Sequence, residues 1–246
     1  MDSVVSKKYW VAMVFAAIGG YLEAYTYVTR DGVFANAQTG NIARTAISFA
    51  KGDYRMMARY LVPVLVFVAG VSLSIQLKRF IGRRARPAVS FAQVIVFTEI
   101  LLVFLVGLIP GNRLDILATT GVSLICAIQV QSFRHFDNNA FSSTMCTGSL
   151  RCATENLNRY FATKERNNLY IALKYGGSDA VFAVFAAVGY KVTARFVTLA
   201  VWWCLLPLGI LLVVFSTEHI RQAAQLCRPI STYAYHFHCL RQADPS

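Results

Sequence analysis

The sequence contains little charge for its length. Only 15% of its 246 residues are charged, whereas 56% are hydrophobic and the mean hydropathy is +0.49. One soluble core cannot bury so much apolar surface. The composition excludes an ordinary soluble domain and predicts a protein embedded in a lipid bilayer.

Sequence motifs of metal sites and enzymes are also missing. The six cysteines follow no metal-ligand or disulfide spacing, so we interpret them as apolar fillers or free thiols. The terminal string His236-Phe-His-Cys239 is interpreted as polar surface. No histidine falls in a predicted span, and there is no nucleophile elbow or His-Glu-x-x-His motif. We therefore expect no metal, no cofactor and no enzymatic activity.

The basic residues lie between apolar runs, as they do in cytoplasmic loops of membrane proteins. The formal net charge is +12, but no groove-reading motif accompanies it, so nucleic acid is not a predicted partner. The densest basic cluster follows the second apolar run and is expected to stay in the cytoplasm, near anionic lipid head groups. It consists of Lys78, Arg79, Arg83, Arg84 and Arg86.

Six apolar runs are long enough to cross a bilayer once their flanks are counted. They cover residues 9–29, 60–77, 87–110, 116–133, 169–190 and 196–217. In the first run, Ala16, Gly20 and Ala24 recur every four residues, which favours close packing against another helix. The pattern predicts an all-α bundle of six transmembrane helices in the inner (plasma) membrane, and the basic residues favour two cytoplasmic termini.

A polar string between the first two runs recurs in part later in the chain. Phe34-Ala-Asn-Ala-Gln-Thr-Gly-Asn-Ile-Ala-Arg44 is echoed by Ser142-Ser-Thr-Met-Cys-Thr-Gly-Ser-Leu-Arg151, with the Thr-Gly pairs 108 residues apart. The same offset aligns Glu23 with Gln131 and Tyr25 with Phe133. We interpret residues 1–110 and 111–217 as a duplicated unit, followed by a cytoplasmic tail at 218–246. Three spans in each unit make the repeat an inverted one.

Each Thr-Gly segment is predicted to be a broken or re-entrant element, so that the two face each other across a substrate cavity. An ordinary loop carrying a surface amphipathic helix is the alternative. A helix beginning near Asn41 would favour an anionic or zwitterionic solute at its N-terminus, but the same residues also suit simple capping. The candidate binding residues are Gln38, Thr39, Gly40, Asn41, Arg44, Gln131, Thr147, Gly148 and Ser149.

Three carboxylates fall inside predicted spans, namely Glu23, Glu99 and Asp179. An ionisable group costs about 2.5–3.5 kcal/mol at the centre of a membrane helix, so some interaction must offset that cost. We predict that Glu23 binds a cation, a proton or a polar solute, and we include Asp179 among the candidate binding residues. The alternative, favoured for Glu99 and Asp179, is pairing with Arg or Lys to hold helices together.

Several strings are similar to a known family. Gly20-Tyr-Leu-Glu-Ala-Tyr-Thr-Tyr, Val33-Phe-Ala-Asn-Ala-Gln-Thr-Gly-Asn41 and Gln131-Ser-Phe-Arg134 resemble the YoaK family of bacterial integral membrane proteins, whose function is unknown. The resemblance covers about residues 9–215, although members often carry Asp where Glu23 stands. It implies a six-span inner-membrane protein and brings no activity with it.

Together these patterns predict a secondary transporter or exporter of a small polar or anionic solute. Two alternatives remain open. One is a structural or regulatory membrane protein without transport, and the other is an intramembrane enzyme built on Glu23.

Overall fold

The computed structural model describes residues 5–30, 32–83, 89–111, 114–137 and 139–226. Some predictions fall outside these residues: Arg84 and Arg86 of the basic cluster, and the His236 to Cys239 string with most of the expected tail. Residues 218–226, expected as the start of that tail, continue the last helix.

Within the described residues the chain is almost entirely helical, as predicted. The α-helices are α1 Tyr9–Thr29, α2 Gln38–Ala50, α3 Tyr54–Gly82, α4 Phe91–Gly107, α5 Asp115–Ser132, α6 Cys146–Thr163, α7 Arg166–Phe196 and α8 Leu205–Leu226. Short 3₁₀ helices precede α1 at Val5–Lys7 and α8 at Val197–Cys204. Strands β1 His135–Phe136 and β2 Asn139–Ala140 form a small antiparallel hairpin.

Four helical stretches are long and apolar enough to cross a membrane: Tyr9–Thr29, Tyr54–Gly82, Asp115–Ser132 and Arg166–Ala224. The last stretch spans α7, the 3₁₀ segment and α8, while α4 is apolar but shorter. The chain is therefore a helical membrane protein. No loop separates its last two apolar runs. Helix α7 ends at Phe196, the φ of 51° at Val197 breaks the helix, and the 3₁₀ segment that begins there leads directly into α8.

Helices α1 and α7 pack closely and run parallel. A side chain at Gly20 would overlap the Phe182 carbonyl, which confirms the predicted close packing at this glycine. Nearer the start of both helices, the Tyr9 hydroxyl donates to the Lys174 carbonyl at 3.1 Å. Because the contacts advance in the same direction along α1 and α7, the two helices are parallel.

Helices α3 and α5 form a second parallel pair. The Ser123 hydroxyl donates to the Pro63 carbonyl at 2.8 Å, and further along the hydroxyls of Ser74 and Ser132 are 2.9 Å apart. Gly70 lies between these contacts, against Leu124 and Ala127. The absence of a side chain at Gly70 allows the two helices to approach closely.

Helices α4 and α8 run antiparallel to each other and complete the bundle. The Gln93 amide donates to the Ser216 hydroxyl at 3.1 Å, and the Trp202 indole donates to the Phe104 carbonyl at 3.1 Å. The main apolar core lies among α1, α4, α5 and α8. Its fully buried members include Phe15, Leu22, Ile95, Ile125, Leu208 and Phe215.

Candidate functional site

The segment before α2 folds back into the bundle and lies against the middle of α1. The Asn36 side chain donates to the Gly19 carbonyl at 3.0 Å and accepts a hydrogen bond from the Cys126 thiol of α5. The Asn36 backbone N–H donates to a Glu23 carboxylate oxygen at 3.0 Å. Irregular backbone inside the bundle is stable here because side chains and backbone atoms of α1 and α5 satisfy its polar groups.

The first turn of α2 is tied to the same region. The Gln38 amide donates to the Ala35 carbonyl at 2.7 Å and to the Ser123 hydroxyl of α5 at 2.9 Å. The Asn41 amide, almost fully buried, donates to the Phe34 carbonyl at 2.9 Å. These bonds hold the start of α2 between α1 and α5.

Arg44 lies further along α2, away from the Glu23 carboxylate. Its guanidinium donates to the Gly32 carbonyl at 2.8 Å and covers the rings of Phe34 and Tyr60. Gly32 follows the end of α1, so α2 runs back towards the end of the bundle where α1 ends. Arg44 anchors α2 in that position.

The segment before α6 reaches α1 at the same height. The Gln129 amide of α5 donates to the Phe15 carbonyl at 3.2 Å and to the Ser143 hydroxyl at 2.7 Å. A side chain on Gly19 would come within 2.9 Å of the Ser143 carbonyl oxygen. Gly19 is therefore contacted by both segments, through its carbonyl by Asn36 and through its Cα by Ser143.

Each short helix begins one residue before the Thr of its Thr-Gly pair. Helix α2 starts at Gln38 and α6 starts at Cys146, which are 108 residues apart, the separation of the Thr-Gly pairs. Neither N-cap residue, Ala37 or Met145, caps its helix with its own side chain. Instead Glu23 of α1 accepts from the backbone that leads into α2, and Asp179 of α7 lies within hydrogen-bonding reach of Cys146 and Ser149. A carboxylate near a helix N-terminus is stabilised by the helix dipole.

The Cys146 thiol interacts electrostatically with both carboxylates, Asp179 and Glu23. Burial, followed by the charge of Asp179, raises the pKa of this thiol to about 11. Cys146 is therefore a protonated thiol at neutral pH.

Other predicted binding residues lie apart from these contacts. Thr39, Gly40, Thr147 and Gly148 are exposed, and no heavy atom of another element lies within 4 Å of a side-chain position at either glycine. They occupy the outer face of each first helical turn, because the inner face is taken by Asn41 in α2 and by Ser149 in α6.

Gln131 is half-buried, and its neighbour Gln129 makes the contact with the second segment. The start of α5 is 106 residues after the start of α1, which aligns Glu23 with Gln129. The motif offset of 108 aligns Glu23 with Gln131 instead. Sequence reasoning also missed Ser123, Cys126 and Ser143, which are small residues without a distinctive pattern.

The two remaining carboxylates in the apolar stretches are not paired with cations in the part of the chain that the structure describes. Glu99 is 0% exposed, and neither of its oxygens has a hydrogen-bond partner there. Asp179 contacts Cys146 and Ser149, whereas Lys174 forms its ion pair with Asp137. The expected pairing of Glu99 and Asp179 with Arg or Lys is therefore wrong for the described residues.

An ion pair with a buried cationic side chain lies at each end of the bundle. Where α1 ends and α5 begins, Arg30 contacts Asp115 at 2.8 Å, and the two side chains are only 0% and 3% exposed. At the other end, Lys174 of α7 pairs with Asp137, which follows β1. A cavity of about 610 Å³ adjoins the first pair. Its polar lining includes Thr29, Asp115, Thr193 and Thr198.

Comparison with known proteins places the chain in a family without assigning an activity. No protein of curated function and no solved structure matches it. Residues 11–216 match the family described as "Protein of unknown function (DUF1275)", and the resemblance to YoaK proteins is consistent with that match. Because the match covers most of the chain, this helical membrane protein belongs to the DUF1275 family.

Proposed function

We propose that the protein is a secondary transporter of a small polar or anionic solute, built from two inverted units of three membrane crossings each. The order of elements supports the duplication: a long helix, a short helix and two further long helical segments occur twice. The packing supports the inversion. The first helix of the first unit, α1, is parallel to α7 of the second unit. The first helix of the second unit, α5, is parallel to α3 of the first unit.

The observation that carries the proposal is that the segment before α2 and the segment before α6 both contact Gly19. Asn36 reaches Gly19 from the end of the bundle that holds Arg30, and Ser143 reaches it from the end that holds Asp137. Polar segments that meet at mid-depth from opposite sides are how many secondary transporters form a central site. The ion pairs at the two ends favour alternating access, because each can open while the other remains closed.

The polar groups around this centre suit a small solute with an anionic group. The N-termini of α2 and α6 provide backbone N–H groups and positive ends of helix dipoles. Glu23 and Asp179 bring negative charge to the same place, so a zwitterion fits better than a simple anion. In this proposal Glu23 is the ion or proton site, and Gln38, Asn41 and Ser149 contribute polar contacts.

We further propose the inner (plasma) membrane, with both termini cytoplasmic. The Val5 backbone N–H donates to Glu218 at 3.1 Å, so the start and the end of the described chain lie on one side. The basic residues on that side favour the cytoplasm and contact with anionic lipid head groups. They include Lys7, Lys8, Lys78, Arg79, Arg83 and Arg221.

Uptake and counterflow into reconstituted vesicles, measured over a panel of labelled metabolites, test the transport proposal. The wild type is expected to move at least one solute, Glu23→Gln to lose most of that flux, and the exposed Glu155→Gln to retain it. Turnover of a substrate without flux would favour the intramembrane enzyme. Neither flux nor turnover would favour a structural or regulatory role.

A further inference from the structure

Glu99 is a buried acid without a partner. It lies in α4, is 0% exposed, and neither carboxyl oxygen accepts or donates a hydrogen bond among the described residues. An ionised carboxylate in such a place would cost several kcal/mol that no contact offsets. A protonated carboxylic acid carries no charge and avoids most of this cost. The geometry therefore indicates that Glu99 holds a proton in this conformation.

We propose that Glu99 is a coupling-proton site of the transporter, separate from the ion or proton site at Glu23, loaded in this conformation and discharged when water reaches α4 from one side. The use of this proton in transport rests on the proposed function. Its presence on Glu99 rests only on the burial of the side chain and its lack of a hydrogen-bond partner among the described residues.

Among the described residues, the side chains that face Glu99 are neutral thiols rather than cationic groups. Facing groups include the thiols of Cys126 from α5 and Cys204 from the 3₁₀ segment, both close enough to interact with it electrostatically. Tyr21 of α1 interacts with Cys204 and donates its hydroxyl to the Ala200 carbonyl at 2.6 Å. Glu99 takes no part in the ion pairs among the described residues, which include Arg30–Asp115, Arg151–Glu155 and Lys174–Asp137.

Cys126 connects Glu99 to the central site. Its thiol donates to the Asn36 side chain, whose backbone N–H donates to Glu23, and Cys126 interacts electrostatically with both glutamates. Any movement of the segment around Asn36 on solute binding changes the hydrogen bond of Cys126, which faces Glu99. The state of the solute site and the proton on Glu99 are thereby coupled through one side chain.

The proton step is balanced without a further reactant. Release breaks the O–H bond of the Glu99 carboxyl, leaves a carboxylate and adds one proton to water on one side of the membrane. Uptake from the other side restores the acid. One cycle therefore transfers one proton through Glu99 with no net change in the protein.

Infrared spectroscopy of the full chain in lipid, in H₂O and then in D₂O, tests the inference without any solute. The wild type is expected to show the C=O stretching band of a protonated carboxylic acid at neutral pH, and the band should shift as the proton exchanges for deuterium. The band should be lost in Glu99→Gln and kept in Glu155→Gln. If Glu99→Gln does not fold, Glu99→Asp should keep a band at a changed frequency.

Two results would overturn the proposal. One is a spectrum without a band that depends on Glu99, and the other is a band that never shifts in D₂O, since an acid sealed from water cannot exchange a transported proton. A negative transport screen would leave the infrared result unchanged, so failure of the transport proposal and failure of this one are distinguishable. For a transported solute, Glu99→Gln should retain counterflow but lose accumulation driven by a pH gradient.

Discussion

Arg30 brings a full positive charge into the interior at the end of α1. Its guanidinium donates to Asp115 at 2.8 Å, to the Tyr25 hydroxyl at 2.9 Å and to the Ile109 carbonyl at 3.0 Å. These bonds connect the end of α1 to the residues after α4 and to the beginning of α5. At the scale of single residues, a buried ion pair is most sensitive to the loss of one partner, because the other charge is left without compensation.

We expect Asp115→Asn to lower the free energy of unfolding by about 3–5 kcal/mol, the usual cost of breaking a buried ion pair. Denaturant unfolding in detergent micelles measures this loss. The matched control is Glu155→Gln, which breaks the Arg151–Glu155 pair, a 3.9 Å contact with side chains 74% and 50% exposed. An exposed pair contributes at most about 1 kcal/mol, so equal losses in both variants would contradict the prediction.

The Cys146 thiol gives a second prediction at the residue scale. Burial and the nearby Asp179 raise its pKa to about 11. Asp179→Asn removes the negative charge, so the pKa should fall, the thiolate fraction at mildly alkaline pH should rise, and alkylation should become faster. Peptide mass spectrometry after timed iodoacetamide treatment measures labelling at Cys146. Glu155→Gln should leave the rate as in the wild type, and an unchanged rate in Asp179→Asn would refute the contact.

At the scale of elements, the contact between α1 and α7 depends on small residues. Gly20 lies directly under the Phe182 carbonyl, and Gly189 of α7 lies under the Tyr21 backbone. Without side chains at these positions the helices approach closely enough for extensive van der Waals contact. Gly40 in α2 has open space around it, although it belongs to the more distinctive sequence motif.

Two glycine substitutions therefore differ in outcome. Gly20→Ala should destabilise the protein by about 1–3 kcal/mol, because the new methyl group forces α1 and α7 apart. Gly40→Ala should be neutral or stabilising by about 0.5–1 kcal/mol, since alanine favours the helix and meets nothing. Thermal unfolding in the same detergent compares the two. A similar loss in both would mean that Gly40 also packs against a neighbour.

At the scale of the whole molecule, the inverted arrangement predicts opposite exposure for two short turns. The turn between α2 and α3 contains Lys51, and the turn between α6 and α7 contains Lys164. Both residues are exposed. In the proposed topology the first turn faces outward and the second faces the cytoplasm with Arg221.

Cysteine labelling tests this topology. A membrane-impermeant maleimide applied to intact cells should label Lys51→Cys, whereas Lys164→Cys and Arg221→Cys should react only after the membrane is permeabilised. Labelling of the wild type measures the background from native cysteines. Reaction of Lys51→Cys and Lys164→Cys from the same side would exclude inverted units.

Much of the architecture followed from local pattern. The apolar runs anticipated the long helices, since an apolar stretch in lipid has to satisfy its backbone by forming a helix. The offset between the Thr-Gly pairs anticipated the spacing of the first residues of α2 and α6. The packing role of Gly20 was also predictable from the sequence, because small residues spaced by one helical turn indicate a close contact between helices.

The hydrogen-bond and packing partners of individual side chains could not be predicted from local sequence patterns. Glu23 was singled out from the sequence, but its bond to the Asn36 backbone depends on how the segment before α2 returns to α1. The exposure of Gly40 and Gly148 depends on which face of each short helix meets the bundle. The isolation of Glu99 depends on α5 and the 3₁₀ segment closing over it.

The sequence by itself determined a helical membrane protein with a duplicated polar motif, because hydropathy and backbone hydrogen bonding act over short stretches of chain. Only the tertiary structure decided that Asn36 and Ser143 meet at Gly19 and that Glu99 has no partner among the described residues. Those facts arise from packing between residues far apart in the chain, such as Tyr21 and Gly189, and no local pattern encodes which faces will touch.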